Sequence, residues 1–146
     1  MESRLDLLSH DLVKKLSQAD EQRLRRIAAK VCEIALRHSE IKSPLIDYFW
    51  ESFQGSASVD RLFLKQELKN FIDQLDEIQW ALKEQVDLGS ETMPNFLRAF
   101  SNARIFNALY YALDADPYIA AAESIYETFA ATNDLKTLEE AINNIL

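Results

Sequence analysis

The sequence predicts an all-α protein that folds as a single domain, and three observations support this prediction. The chain has two glycines and three prolines in 146 residues, whereas sheets and elaborate loops depend on glycine for their tight turns. Apolar residues recur at helical spacing along most of the chain, and no stretch alternates as a strand would. A chain of this length buries enough surface for one core. We therefore expect one bundle of about seven helices over residues 1–146.

The predicted bundle is organised around residues 95–113, which read NFLRAFSNARIFNALYYAL. When stepped at about 100° per residue, this stretch is apolar on nearly all sides: Phe96, Phe100 and Phe106 share one stripe, and Leu97 lies opposite. A helix of this kind needs neighbours on two or more sides. Its two arginines and three asparagines make it too polar to span a membrane.

Capping residues and apolar periodicity place the helices along the chain. The predicted helices cover residues 2–16, 21–38, 44–54, 59–86, 95–113, 118–131 and 135–145. The predicted N-caps are Ser43, Ser58, Asp116 and the pair Asn133–Asp134. The longest helix carries an apolar stripe that runs through Ile78 to Val86 and is expected to face the core along its whole length.

The tail of the chain from Arg104 onward resembles a HEAT-type helical repeat. It has an apolar helix, an Asp-Pro turn at Asp116–Pro117, an alanine-rich second helix and a further apolar helix beginning near Leu138. The resemblance covers under a third of the chain and implies a scaffold for other proteins rather than a catalyst. A second likeness, without a discrete motif, is to small helical bacterial immunity proteins, and it bears only on the kind of partner.

The sequence contains none of the common catalytic or metal-binding motifs. Leu7 and Ala35 stand three residues before His10 and His38, where a di-iron Glu-x-x-His motif needs a carboxylate. There is no glycine-rich phosphate loop, Gly-x-Ser-x-Gly or His-Glu-x-x-His. Cys32 is therefore interpreted as a small core residue and His38 as a helix C-terminal residue. We expect a non-enzymatic protein without cofactor or metal.

The charge of the chain points to a particular kind of partner. The net charge is −8, with +2 in residues 1–42 and −10 in residues 43–146. Such a field opposes binding to nucleic acid and anionic membranes and favours a basic protein. The lone cysteine and an N-terminus without an apolar run of signal-peptide length lead us to expect a cytoplasmic protein.

A row of acidic residues with one tryptophan is the candidate binding surface. Its members lie within an arc of about 100° on the longest predicted helix, and they are Asp73, Asp76, Glu77, Trp80, Glu84 and Asp87. In one interpretation the row is a solvated face and a neighbouring helix or loop covers Trp80. In the other, Trp80 anchors a basic protein partner and the carboxylates attract it.

The second interpretation predicts an inhibitor or immunity-like protein that lays its acidic face over a basic site on a toxin or nuclease. A HEAT-like adaptor would instead use a concave surface near Tyr110, Tyr111 and Tyr118. An enzyme or a small-ligand carrier would use an internal pocket beside the central helix, holding convergent polar groups.

Overall fold

In the computed structural model, which describes residues 4–55 and 60–146, the chain forms eight α-helices and no strand within those ranges. The helices are α1 Arg4–Leu8, α2 His10–Ser17, α3 Glu21–Arg37, α4 Pro44–Phe53, α5 Arg61–Asp87, α6 Met93–Ala112, α7 Pro117–Thr132 and α8 Leu135–Ile145. The predicted all-α class is confirmed. Within the same ranges no helix is both long enough and apolar enough to cross a membrane.

Local hydrogen bonds explain where several helices begin. The Ser43 side chain accepts a hydrogen bond from the Leu45 backbone N–H at 3.2 Å, and Asp116 accepts one from the Tyr118 N–H at 2.9 Å. Each cap is followed by a proline in the first turn, where the missing N–H is not needed. Both predicted caps are therefore confirmed, and His38 is the C-cap of α3 as expected.

Two predicted helix boundaries are wrong. The helix predicted over residues 2–16 is divided at Ser9, whose hydroxyl caps α2 by accepting the Leu12 N–H at 3.2 Å. A serine side chain can compete in this way with the helical backbone. The long helix α5 is capped by Asp60, which accepts the Leu62 N–H at 2.9 Å. Ser58, the predicted cap, lies outside the described residues.

The helices enclose two adjoining clusters of buried side chains, and both α3 and α7 contribute to each. One cluster lies among α3, α4, α5 and α6 and includes Ala120 of α7, and the other lies among α1, α2, α3, α7 and α8. The predicted central helix, α6, packs against α3, α5 and α7, while α7 packs against α1, α2, α3, α6 and α8. The core is therefore organised around α6 and α7 together.

Cys32 lies in this core with its side chain fully buried, and its Sγ is 3.6 Å from the Ala108 carbonyl oxygen. Burial raises the pKa of the thiol well above its usual range, because the thiolate is poorly solvated there. We expect the folded protein to resist a water-soluble disulfide reagent such as dithionitrobenzoate. The same reagent should label one thiol per chain in urea, and rapid labelling of the folded protein would contradict this placement.

Candidate protein-binding surface

The end of the hairpin formed by α5 and α6 projects beyond the rest of the bundle. The Ser101 hydroxyl donates to the Ala131 carbonyl near the end of α7 at 2.6 Å, and the Ser39 hydroxyl, just after α3, lies 3.4 Å from Asn102 Oδ1. Both neighbouring helices therefore end at this level. No residue in the described stretch 80–102, here called the hairpin tip, is fully buried. At about 1.5 Å per residue, α6 extends about 12 Å past this point.

The predicted burial of this region is therefore wrong in part. Ile78, expected to face the core, is 52% exposed. Phe96 and Phe100 of the predicted central helix are half-buried rather than core residues. The apolar stripes of α5 and α6 continue past the end of the core and cover only each other there.

Three contacts set the register of the antiparallel hairpin and identify one of its sides. Arg104 of α6 lies 3.9 Å from the Asp76 carboxylate of α5. About two helical turns further along the hairpin, the Lys83 Nζ lies 6.0 Å from the centre of the Phe96 ring. Arg104 also binds Glu127 of α7 at 3.1 Å. The side of the hairpin that carries Asp76 and Arg104 is therefore the side on which α7 packs, and we call it the α7 side.

Trp80 lies on the α7 side, one turn after Asp76, and its side chain is 63% exposed. The interpretation in which a neighbour covers Trp80 is therefore wrong. Across the hairpin, Leu97 lies one turn before Ser101 on the face of α6 that meets α7, and Met93 lies one turn before Leu97. Both are exposed. An indole and two apolar side chains thus share one open face, and the sequence pattern had indicated only the indole.

The predicted carboxylates surround Trp80 unequally. Asp73 and Asp87 are exposed and each binds a lysine one turn away, Lys69 at 3.3 Å and Lys83 at 2.7 Å. Glu77 and Glu84 are exposed, and among residues 4–55 and 60–146 neither forms an ion pair.

Asp76 is the member of the predicted row that does not reach the open surface. Its side chain is mostly buried and points towards Arg104, and it accepts a hydrogen bond from the Gln79 amide at 3.0 Å. Five of the six predicted residues are therefore exposed, whereas Asp76 is mostly buried beneath them beside Arg104.

A buried ionic cluster beneath the hairpin tip was not predicted. Glu127 of α7 is 1% exposed and binds Arg4 of α1 at 2.6 Å and Arg104 of α6 at 3.1 Å. Arg4 also binds Glu123 at 2.7 Å. These hydrogen bonds outweigh the opposing effect of burial and raise the pKa of the Arg4 guanidinium, which therefore stays charged. The sequence held one signal of this cluster, because Glu127 lies within the alanine-rich apolar face of the predicted helix 118–131.

The structure also has a surface groove, but its position differs from that of the internal pocket expected for an enzyme or a ligand carrier. A groove of about 510 Å³ lies between α4 and α5, and its lining residues are Leu45, Tyr48, Glu51, Asp60, Phe63, Leu64 and Glu67. It lies beside the first half of α5 and not beside α6. Within the described chain, no three His, Cys, Asp or Glu side chains are grouped so that they could hold a metal ion.

The chain shows no significant match to a protein family, a curated protein or a solved structure. The resemblance of its last third to a HEAT repeat stays a prediction, although α6 and α7 do pack together across the Asp116–Pro117 turn.

Proposed function

We propose that this protein is a non-catalytic protein-binding module whose hairpin tip binds a basic protein partner. The observation that carries the proposal is the exposed indole of Trp80 on a projecting hairpin whose whole tip lacks a buried residue. A tryptophan buries a large apolar area at a small cost in conformational entropy, which is why it is enriched at interface hot spots. On this hairpin the indole is available to a partner.

The surrounding charges support a basic partner. Residues 73–102 contain six carboxylates and two basic side chains, a net charge of −4. Carboxylates that flank an anchor accelerate the encounter with a positively charged surface, while burial of the anchor slows dissociation. Glu77 and Glu84, one turn on either side of Trp80, are placed for this role. In its most specific form the proposal is an inhibitor or immunity-like protein that covers a basic site on a toxin or nuclease.

The surface proposed for a HEAT-like adaptor is less accessible than the hairpin tip. Tyr110, Tyr111 and Tyr118 are all partly buried. The Lys65 Nζ lies 5.1 Å from the centre of the Tyr110 ring, and the Arg4 guanidinium lies 5.6 Å from that of Tyr111. These two rings already have cationic partners within the fold, so the hairpin tip is the better candidate for an interface.

We expect Trp80→Ala to weaken binding of the cellular partner by about 2 kcal/mol, or about 30-fold in Kd, mainly through faster dissociation. The partner would be identified by quantitative affinity capture with the wild-type protein, and its kinetics then measured by surface binding over a salt series. Association with the wild-type protein should slow as salt increases, because the carboxylates attract the partner.

Ile78→Ala is the matched control. Ile78 is also an exposed apolar residue of α5, but it lies two residues from Trp80 and so about 160° away around the helix. Equal losses in both variants, or wild-type association that does not respond to salt, would contradict the proposed surface.

A further inference from the structure

We infer that the segment of the partner bound by the hairpin tip is a basic amphipathic α-helix, which packs on the α7 side of the tip as a continuation of α7. This inference rests on the proposed function and adds the structure of the bound segment. It follows from the uncovered continuation of a face that α7 already packs against, from the shape of the open surface and from its charge.

A single face of α6 carries residues that α7 contacts and residues that lie beyond the end of α7. Met93, Leu97, Ser101 and Arg104 recur at spacings of four, four and three, which is one face of a helix. Its lower part meets α7 through the bonds of Ser101 and Arg104. Its upper part, Met93 and Leu97, is 46% and 52% exposed. This upper part has the apolar character of a helix-packing face without a helix on it.

The end of α7 explains why this face stays open. α7 ends at Thr132, and Asn133 adopts a left-handed conformation with φ of 54°. Asp134 then caps α8 by accepting the Thr137 N–H at 3.2 Å, so the chain leaves the hairpin at that point. About two more helical turns of α7 would have covered Leu97 and Met93.

The open face is long enough for one helix to pack along it. Its apolar side chains come from both helices of the hairpin, Met93 and Leu97 from α6 and Trp80 from α5. Packed helices lie about 8–10 Å apart, and the uncovered length of about 12 Å matches about eight helical residues. A helix packed along two others presents its apolar anchors at spacings of three and four.

The negative charge at the edge of the open face favours a basic helix as the bound segment. Glu77, Glu84 and Asp87 are exposed beside Trp80, and the tip together with the two preceding turns of α5, residues 73–102, carries the net charge of −4 given above. A second copy of this chain would bring an overall charge of −8 to the same place, and like charges repel across an interface. A helix with lysine or arginine beside its apolar face matches both the apolar side chains of the open face and the carboxylates at its edge.

The test uses the fluorescence of Trp80 itself. The chain has two tryptophans, so Trp50→Phe leaves Trp80 as the reporter. The probe is a synthetic helix of about 16 residues with leucine on one face and lysine on the other, the kind that helix-in-groove sites accept. We expect a saturable shift of the emission to shorter wavelength, because docking removes the indole from water. A scrambled peptide of the same composition should bind at least tenfold more weakly.

Leu97→Asp and Ile78→Asp form a matched pair in the same reporter protein. Both replace an apolar side chain that is 52% exposed and add one negative charge, but only Leu97 lies on the α7 side. Leu97→Asp should weaken binding of the probe at least tenfold, whereas Ile78→Asp should change it less than twofold. Far-ultraviolet circular dichroism would establish that both variants remain folded.

Four results would overturn the inference. Three of them are equal binding of the scrambled peptide, equal losses in the two aspartate variants, and a concentration-dependent dimer, measured by sedimentation, that is lost in Leu97→Asp. The fourth is a probe that does not bind while the captured cellular partner still requires Trp80, which would contradict a helical partner segment but leave the proposed function in place. If neither probe nor partner depends on Trp80, both proposals fall.

Discussion

Replacement of Phe106 by alanine is expected to lower the free energy of unfolding by about 3–5 kcal/mol, the usual range for a phenylalanine removed from a packed core. Phe106 is fully buried, and its ring meets that of Phe71 edge-on at 4.9 Å between centres. The cavity would lie between α5 and α6 in the middle of the larger core cluster. Urea melts followed by circular dichroism would measure the loss, which approaches the whole stability of an ordinary domain.

Phe100→Ala is the control for this prediction. Phe100 lies one and a half turns earlier on α6, at the base of the hairpin tip, and is half-buried. The Arg104 guanidinium lies 5.6 Å from the centre of its ring, but water already reaches the ring. We expect a loss of about 1 kcal/mol, because less apolar surface returns to water. Equal losses at both positions would show that the core extends into the hairpin tip.

Replacement of Glu127 by alanine is expected to destabilise the protein by about 3 kcal/mol. The Glu127 carboxylate is almost fully buried between Arg4 and Arg104, and its removal leaves two guanidinium groups partly buried without their shared partner. Breaking a buried ion pair in this way is costly, because the remaining charge keeps its desolvation penalty. Arg4 retains Glu123 and Arg104 retains Asp76, so the expected loss is at the lower end of the usual range.

Glu140→Ala provides the comparison, since Glu140 is an exposed residue of α8 and its loss should stay within about 0.5 kcal/mol. Chemical denaturation of the two variants beside the wild-type protein would measure the difference. If Glu127→Ala also stays within that range, the two arginines do not depend on Glu127 for their stabilisation, and the prediction is wrong.

Much of the fold could be predicted from the sequence because its signals are local. Ser43 and Asp116 cap their helices through hydrogen bonds to residues two positions ahead, and such bonds depend on a few consecutive residues. The scarcity of glycine and the helical spacing of apolar residues likewise gave the all-α class. Ser9 shows the limit of this reasoning, since its hydroxyl divided a stretch whose apolar pattern was continuous.

The candidate surface could be predicted only as a helix face. Spacing placed Trp80 beside Glu77 and Glu84, because the period of one helix determines which side chains share a side. Spacing also placed Asp76 in that row, although Arg104 of the next helix draws it inward. Helical periodicity indicates which residues share a face of one helix, but it does not indicate which other helix packs against that face.

The sequence by itself determined the helical class, most helix boundaries and the charge of the row around Trp80. Only the tertiary structure decided that Trp80 is exposed, that Met93 and Leu97 join it, and that Glu127 holds two arginines beneath them. These features depend on where α7 stops relative to α6, shown by the Ser101–Ala131 bond. That relation joins residues far apart in the chain, and no local pattern of apolar and polar residues carries information about it.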